Sequence, residues 1–417
     1  MLVIWIVWSI RRYWVEFVNR SRSCRRLNRA ARHRGLIDFE FVLALVYRRD
    51  VTVMGFRIVF IASLLAFQTT QVAFSSLILL TSRTGTPGVY EVDVATGARS
   101  IFSATGTGTG TGFNDPRGIA TDSGFQFAYV ADFANKSVVK IDLSNGNRTT
   151  LSSSSVGAGT NFDDPVGIGI ESSGNIIVAD NGENAIFRVD LSTGNRTIIS
   201  KPGSVGTGTG GDSEFSSING FAIDSSGNIL VADETKGAII KVDPTTGDRS
   251  ILSNDTSGVG TGTNLARPQS VTIDSSGNVF VSDETNLVFR IDPANGNRIV
   301  IASNSIGSGD AFASGFNKGL KGITFDTVGK LLVTSNANDS VYQLVATGDP
   351  DVFNRLIVSG GSTGSGTAFG NLTSGSTQFG SPSTPIPEPS SLALLGMGLG
   401  AFLVRSRRRH TAKNTVG

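Results

Sequence analysis

The chain has 417 residues, which is enough for one large domain or two of ordinary size. Its 51 Gly and 12 Pro favour many tight turns between short strands over long helices. The formal net charge is +2, but residues 1–53 hold +7 and the tail from Arg405 holds +5, which leaves −10 for residues 54–404. An acidic body of this kind excludes nucleic acid as an expected partner, because a phosphate backbone requires a basic surface.

The long middle of the chain lacks the side chains of many enzyme sites. The only Cys is Cys24, the three Trp lie within residues 1–53, and the two His are His33 and His410. Residues 54–404 therefore offer no thiol nucleophile, no imidazole base, no Cys or His ligand for zinc and no disulfide.

The first 75 residues consist of a basic segment followed by the pattern of a secretory signal peptide. From Met54 a short basic region with Arg57 precedes an apolar stretch over residues 58–67, and Ala73 and Ser75 are the small residues that a signal peptidase reads. This pattern predicts a signal peptide over residues 54–75. Because such signals are N-terminal, we predict that translation starts at Met54 and that residues 1–53 are a start-site over-extension. The alternative is a basic amphipathic leader on the membrane surface.

The middle of the chain repeats one unit. An Arg follows a Gly-containing turn in each unit, and the spacing of 48 to 57 residues indicates an array or a ring. The six residues of this type are Arg99, Arg148, Arg196, Arg249, Arg298 and Arg355.

Each unit predicts four short strands. In the third unit these are "GIGI" at 167–170, the apolar "IIVAD" at 176–180, the alternating "AIFRVD" at 185–190 and "RTIIS" at 196–200. Close variants of "SSGNIIVAD" recur at 225–233 and 275–283. Four antiparallel strands in about 50 residues are typical of a propeller blade, so we predict an all-β, six-bladed β-propeller of four-stranded antiparallel blades over residues 76–380.

The units resemble the NHL type of β-propeller. The likeness is carried by an ordered string of residues over about residues 77–379, which in the third unit is Phe162, Pro165, Gly167, Ile168, Glu171, Gly174 and Asp180. The first unit lacks an inner strand of its own. We therefore expect a strand near residues 374–379 to return to the first blade and close the ring, which would remove an exposed edge.

An Asp ends the second strand of four successive units, and it has two interpretations. Its periodicity favours a structural role, in which the carboxylate accepts backbone N–H groups of the next turn. The functional interpretation is a ring of carboxylates at one mouth of the central channel, able to bind Ca²⁺ but with no metal ligand assigned. The candidate binding residues are Asp132, Phe133, Asn135, Asp180, Asn181, Asn184, Asp233, Glu234, Asp283, Glu284 and Asn336.

The C-terminal segment, residues 381–417, contains Pro387, Glu388 and Pro389, an apolar run over residues 392–404 and an Arg cluster. The cluster consists of Arg405, Arg407, Arg408 and Arg409. The run of 13 residues is shorter than the ~20 that span a bilayer, so it predicts a short anchor helix. This order resembles the PEP-CTERM sorting signal of Gram-negative bacteria that make exopolysaccharide. The resemblance implies transient anchoring in the inner membrane and removal of the segment by an exosortase near residues 387–389.

Together these features predict an exported, monomeric propeller of the bacterial cell surface or extracellular matrix. We expect a non-catalytic binding or structural module whose partners are exopolysaccharide or matrix proteins, with no catalytic residue and no certain cofactor. The alternative is a lactonase-like, metal-dependent hydrolase that uses the carboxylates at the channel mouth.

Overall fold

The computed structural model describes residues 77–209, 213–313, 315, 318–326, 329–360, 363–365, 367–369 and 372. They form six antiparallel sheets that follow one another along the chain. Blades 1 to 3 consist of β1 Leu77–Ser82, β2 Gly88–Asp93 and β3 Arg99–Ala104; β4 Pro116–Thr121, β5 Phe127–Asp132, β6 Ser137–Asp142 and β7 Arg148–Ser152; β8 Pro165–Ile170, β9 Ile176–Asp180, β10 Ala185–Val189 and β11 Arg196–Ser200.

Blades 4 to 6 repeat this order, and blade 4 carries one additional short strand, β12. Their strands are β12 Gly208–Thr209, β13 Ile218–Ile223, β14 Ile229–Asp233, β15 Ala238–Val242 and β16 Arg249–Asn254; β17 Pro268–Ile273, β18 Val279–Asp283, β19 Leu287–Ile291 and β20 Arg298–Ala302; β21 Leu320–Phe325, β22 Leu331–Ser335, β23 Ser340–Ala346 and β24 Phe353–Ser359. The prediction of an all-β, six-bladed propeller is confirmed.

Each complete blade runs from an inner strand at the axis to an outer strand at the rim. In blade 3, β8 pairs with β9, β9 with β10 and β10 with β11, all antiparallel. Inner strands of successive blades pack together, which places them around the axis. The second strand, β9, is buried at all five positions because both of its faces are covered, and this explains its unbroken apolar sequence. The third strand, β10, leaves only Arg188 partly exposed.

The marker Arg of each unit joins its blade to the preceding one. The Arg148 Nη1 atom in blade 2 donates to the Ser103 hydroxyl in blade 1 at 2.7 Å, and that hydroxyl donates to the Gly146 carbonyl at 2.6 Å. We call this arrangement the Arg–Ser–Gly clasp. Equivalent clasps join Arg196 to Ser152, Arg249 to Ser200, Arg298 to Ser253 and Arg99 to Ser359. Between blades 5 and 6, Ala302 occupies the Ser position, and Arg355 bonds the Ser303 carbonyl instead.

The Gly-rich loops between blades protect the outer edges of the sheets. The loop of residues 105–112 pairs in parallel with the start of β7, and the Arg148 N–H donates to the Thr109 carbonyl at 2.8 Å. Gly110 has φ of 100°, and a Cβ there would collide with the Arg148 carbonyl, so only Gly fits. An edge strand covered in this way offers less backbone to a second chain.

The ring closes through the segment after blade 6. Blade 1 has three strands, and the end of β1 at Ser82 forms an antiparallel bridge with Leu372. In blade 3 the equivalent pair is Asp180 with Pro165, the first residue of the inner strand. Leu372 therefore occupies the position where the missing inner strand of blade 1 would begin. The predicted closing strand at residues 374–379 lies outside the described residues.

Other predicted elements also lie outside the described residues. These are the leader over residues 1–53, the signal peptide with Ala73 and Ser75, Pro387 to Pro389, and the anchor run with its Arg cluster. Within the described part of the chain there is no helix, and so none with the length and apolarity to cross a bilayer.

Candidate functional site

The repeated Asp residues are buried and bonded to backbone. Asp180 has no exposed surface, and its carboxylate accepts the N–H groups of Asp163, Asp164 and Glu183, each at 2.9 Å. Asp132, Asp233 and Asp283 are also fully buried and accept N–H groups from the residues before their own inner strand. These contacts are those of the structural role, since each carboxylate fixes the entry into one inner strand.

Burial raises the pKa of the Asp180 carboxyl, and the three backbone N–H bonds only partly oppose it. The pKa values of Asp132 and Asp233 are raised for the same reason. Such groups cost stability when they ionise without compensation, which explains why each one is surrounded by donors.

The residue after each second strand marks one end of the propeller, which we call the mouth. In blade 3 the N–H of this residue, Asn181, donates to the carbonyl of Asp164 at 2.9 Å, and the bond holds the start of the loop beside the inner strand. The corresponding residues are Arg83, Phe133, Asn181, Glu234, Glu284 and Asn336, one from each blade.

A cavity of about 260 Å³ lies at the mouth, and all six blades contribute to its wall. We call it the mouth cavity. Its lining residues are Arg83, Arg117, Asn181, Asn219, Glu234, Arg267, Gln269, Glu284, Lys321, Asn336 and Leu372. Because every blade reaches it, the cavity lies on the propeller axis.

One side of the mouth cavity is a network of ion pairs across blades 4, 5 and 6. Arg267 bonds Glu234 from Nε at 2.8 Å and lies 2.7 Å from a Glu284 oxygen through Nη1. The Lys321 ammonium donates to Glu284 at 2.7 Å and to the Gln269 amide oxygen at 3.0 Å. Two cations thus balance two carboxylates in this network.

The network also shifts the proton affinities of its members. Burial alone would raise the pKa of Glu234, but its hydrogen bonds, chiefly from Arg267, outweigh burial and leave the pKa below the ordinary value. Burial lowers the pKa of Lys321, and Glu284 offsets only part of that change. The Glu234 carboxylate therefore stays ionised near neutral pH.

The opposite side of the mouth cavity presents two guanidinium groups. Arg83 binds Asp115 in bidentate fashion, at 2.6 and 2.8 Å, and Arg117 donates to the same carboxylate at 3.1 Å. Arg117 also stacks on the Phe133 ring, with Cζ 3.7 Å from the centroid. Burial lowers the pKa of Arg117, and the nearby carboxylates, Asp115 first, offset part of that change.

Amide side chains from blades 3, 4 and 6 complete the wall of the mouth cavity. Asn219 donates to Glu234 at 3.0 Å, and the Asn336 amide oxygen accepts the Gly319 N–H at 3.0 Å. This last contact replaces the carboxylate that blade 6 lacks, because Ser335 ends its second strand. No hydrogen bond of the Asn181 side chain is found within the described residues.

The structure separates the candidate residues into three groups. Asn181, Glu234, Glu284 and Asn336 line the mouth cavity. The four repeated Asp lie behind the wall, and Phe133 lies under Arg117. Asn135 and Asn184 lie in the turns after second strands, where Asn135 donates to Gly112 and Asp132 and Asn184 has a φ of 47°.

The functional interpretation of the repeated Asp, a ring of carboxylates at the mouth, has no counterpart among the described residues. Glu234 and Glu284 are the acidic members of the described cavity wall, and both form ion pairs with Arg267. Within the described part of the chain, no group of three or more His, Cys, Asp or Glu could hold a metal ion. The wall is therefore suited to hydrogen bonding and charge pairing with a ligand.

Sequence reasoning missed the second residue of each inner strand. Arg117, Asn219, Gln269 and Lys321 occupy this position in blades 2, 4, 5 and 6, while Val166 occupies it in blade 3. The sequence signal that could have identified these lining residues is a polar side chain at the second position of an otherwise apolar strand. The sequence pattern places the start of the inner strand of blade 3 at Gly167, whereas the strand begins two residues earlier, at Pro165.

Comparison with known proteins identifies the C-terminal segment. Residues 385–409 match the PEP-CTERM protein-sorting motif. The chain carries a PEP-CTERM sorting motif. This motif implies an exported precursor that is anchored in the membrane and processed by an exosortase. No curated protein matches the sequence.

Solved structures resemble the chain at low identity. A chain of a nidogen/laminin complex is 18% identical with a TM-score of 0.48, and the match covers 64% of this chain and 89% of that one. A putative gluconolactonase is 17% identical with a TM-score of 0.42, covering 63% and 83%. Virginiamycin B lyase from Staphylococcus aureus is 16% identical with a TM-score of 0.40, covering 58% and 69%.

Proposed function

We propose that this exported propeller is a non-catalytic binding module of the bacterial surface or extracellular matrix. The released body would comprise the propeller, residues 76–380, and the segment that follows it up to the cleavage point near residues 387–389. Its partner would be exopolysaccharide or a matrix protein, bound at the mouth. The sorting motif at residues 385–409 supports export, and the rigid, clasped ring supports a durable role outside the cell.

The observation that carries the proposal is the composition of the mouth cavity. Its wall combines amide groups with guanidinium and carboxylate groups, which are the partners that hydroxyl-rich ligands require. The charged side chains of the wall are held in place by ion pairs with one another, as Glu284 is by Arg267 and Lys321. A wall fixed in this way needs little ordering when a ligand binds.

A metal-dependent hydrolase is the less well supported alternative. Such an enzyme needs oxygen ligands for the ion and a water that the ion activates. A metal ion would have to compete with Arg267, which forms ion pairs with both Glu234 and Glu284. Turnover of lactones or phosphoesters that disappears with a chelator would support this alternative over ours.

The test is retention on the natural matrix. The processed protein is mixed with extracellular polysaccharide purified from the producing bacterium and sedimented, with bovine serum albumin as an unrelated acidic control. We expect the propeller to co-sediment and the control to stay in solution. Equal amounts of both proteins in the pellet would contradict a binding role, as would chelator-sensitive turnover.

A further inference from the structure

The chemistry of the mouth cavity restricts what can bind there. Leu372 is the apolar member of its described wall, and none of the lining residues is aromatic. A neutral sugar gains much of its affinity from stacking on an aromatic face, which this wall does not provide. The affinity of a ligand in this cavity must therefore come from hydrogen bonds and charge.

The charges of the wall are distributed unevenly. In the network of blades 4 to 6, Arg267 and Lys321 are balanced by Glu234 and Glu284 within the wall itself. On the side of blades 1 and 2, Arg83 and Arg117 face the cavity, while the carboxylate that they share, Asp115, is not part of the lining. With Asp115 included, Arg83 and Arg117 leave one positive charge on this side of the cavity, the cationic side, while the other side is balanced, so the excess charge of the wall favours an anion.

The cationic side is held in a fixed geometry. Asp115 binds both guanidinium groups, and the Phe133 ring supports Arg117 from behind. Asp115 occupies the Nε and Nη2 atoms of Arg83, so a ligand carboxylate would bind the remaining N–H groups of the pair. Donors that are already positioned lose little entropy on binding. The shared Asp115 explains how two cations can stand side by side in the absence of a ligand.

The volume of the cavity sets the size of the bound group. At about 260 Å³ it lies below the roughly 300–1,000 Å³ of pockets for drug-sized ligands. One sugar ring with its substituents fits this scale. The Asn181 amide, next to the cationic side, and the Asn219 amide can bond the hydroxyl groups of such a ring.

We propose that the mouth cavity binds a carboxylate-bearing sugar residue, with Arg83 and Arg117 on the carboxylate and the asparagine amides on the hydroxyls. This inference rests on the proposed binding function and names the chemical class of its ligand. The acidic unit belongs to a polysaccharide chain, and its carboxylate distinguishes it from a neutral sugar of the same shape.

The experiment compares two probes that differ only at the carboxylate. Tetragalacturonate and its fully methyl-esterified form are titrated into the processed protein by calorimetry, with acetate at the same carboxylate concentration. We expect tetragalacturonate to bind at least about tenfold more tightly than the ester, because one charge-assisted pair contributes about that factor. Acetate is expected to bind weakly, because it has no hydroxyl groups for the amides.

Matched variants locate the site. Arg83 and Arg188 have similar side-chain exposure, 36% and 33%, and each is paired with one carboxylate, but Arg188 lies with Glu171 away from the mouth. Arg83→Gln and Arg117→Gln are expected to lose at least about tenfold in affinity for tetragalacturonate, and Arg188→Gln to bind normally. Thermal melting of each variant confirms that it is folded, and Arg83→Gln, at the more exposed position, remains informative if Arg117→Gln does not fold.

The outcomes separate this inference from the function on which it rests. Equal affinity for the acid and the ester, or for the acid and acetate, would overturn the acidic-sugar assignment. Unchanged affinity in a folded Arg83→Gln variant would overturn it as well. The binding function would survive those results if the protein still co-sedimented with the producer's polysaccharide. Loss of that co-sedimentation by wild-type protein would instead overturn the proposed function.

Discussion

The Arg99 guanidinium in blade 1 donates a hydrogen bond of 3.0 Å to the Ser359 hydroxyl in blade 6, across 260 residues of sequence. The same hydroxyl donates to the Gly97 carbonyl at 2.8 Å, which completes the Arg–Ser–Gly clasp at the point where the ring closes. Arg99 also bonds the carbonyls of Thr363 and Thr367. The bonds that join neighbouring blades elsewhere therefore also join the last blade to the first.

Removal of this clasp should weaken the whole ring. Arg99→Gln leaves two backbone carbonyls and a buried hydroxyl without their donor, and each such loss costs about 1–3 kcal/mol. We expect the free energy of unfolding to fall by about 3 kcal/mol in urea denaturation. The matched control is Arg188→Gln, a partly exposed pair with Glu171, which should cost no more than about 1 kcal/mol. Equal losses in the two variants would show that the closing clasp adds nothing.

The repeated Asp should matter for stability rather than for binding. Asp180→Ala removes the acceptor of three backbone N–H groups at a fully buried position. We expect a loss of about 3 kcal/mol or more in the free energy of unfolding. Glu183→Ala, which removes the partly exposed ion pair with Lys201, should cost no more than about 1 kcal/mol.

Binding measurements complete the test of Asp180. A folded Asp180→Ala protein should retain its affinity for the matrix polysaccharide, because the carboxylate lies behind the wall of the mouth cavity. A variant that melts normally yet no longer binds would contradict the structural role.

The repeat made the fold readable from sequence. The inner and outer strands of one blade cannot bury themselves, so the same apolar second strand and the same turns recur at a fixed period, and the six marker Arg residues give the number of blades. The Arg–Ser–Gly clasps between blades could not be predicted from the repeat. Arg148 and Ser103 are 45 residues apart, and only the packing of one blade on the next brings them together.

The mouth was predictable only in part. Four lining residues were predicted from the loops after the second strands, because the turn that ends a strand follows from the local sequence. They are Asn181, Glu234, Glu284 and Asn336. The second residue of an inner strand also lines the cavity in four blades. This position can be predicted only if the first residue of the strand is known. The ion pairs of the mouth could not be predicted either, since Lys321 and Glu284 are 37 residues apart in sequence and meet only in the folded ring.

Acid should destabilise the propeller partly through Asp190. Hydrogen bonds from Ser192, and then from Thr193, lower the pKa of this exposed carboxyl from 3.8 to about 2. A pKa that folding lowers contributes stability above the unfolded value, and this contribution is lost as the pH falls through the folded value. We expect the stability of the wild type to fall between about pH 4 and pH 2 more steeply than that of Asp190→Asn. Parallel curves in urea denaturation across this range would contradict the assignment.

Export should produce two new termini. Mass spectrometry of protein from the culture matrix is expected to find an N-terminus at Ser76 and a C-terminus near residues 387–389, within the sorting motif at residues 385–409. No peptide should come from upstream of Met54. Any such peptide in the precursor would show that residues 1–53 are translated and would favour the basic leader.

Processing should leave the closed ring intact. Leu372, which bridges Ser82 and is 1% exposed, precedes Pro387 by 15 residues, so cleavage at the motif removes none of the described closing contacts. We therefore expect the anchored precursor in detergent and the released protein to melt at the same temperature. Truncation after Gly360 should lower the melting temperature strongly, because it removes the bonds of Arg99 to Thr363 and Thr367 and the buried Leu372. Equal melting of the truncated and released proteins would mean that the ring is held closed by blades 1 and 6 alone.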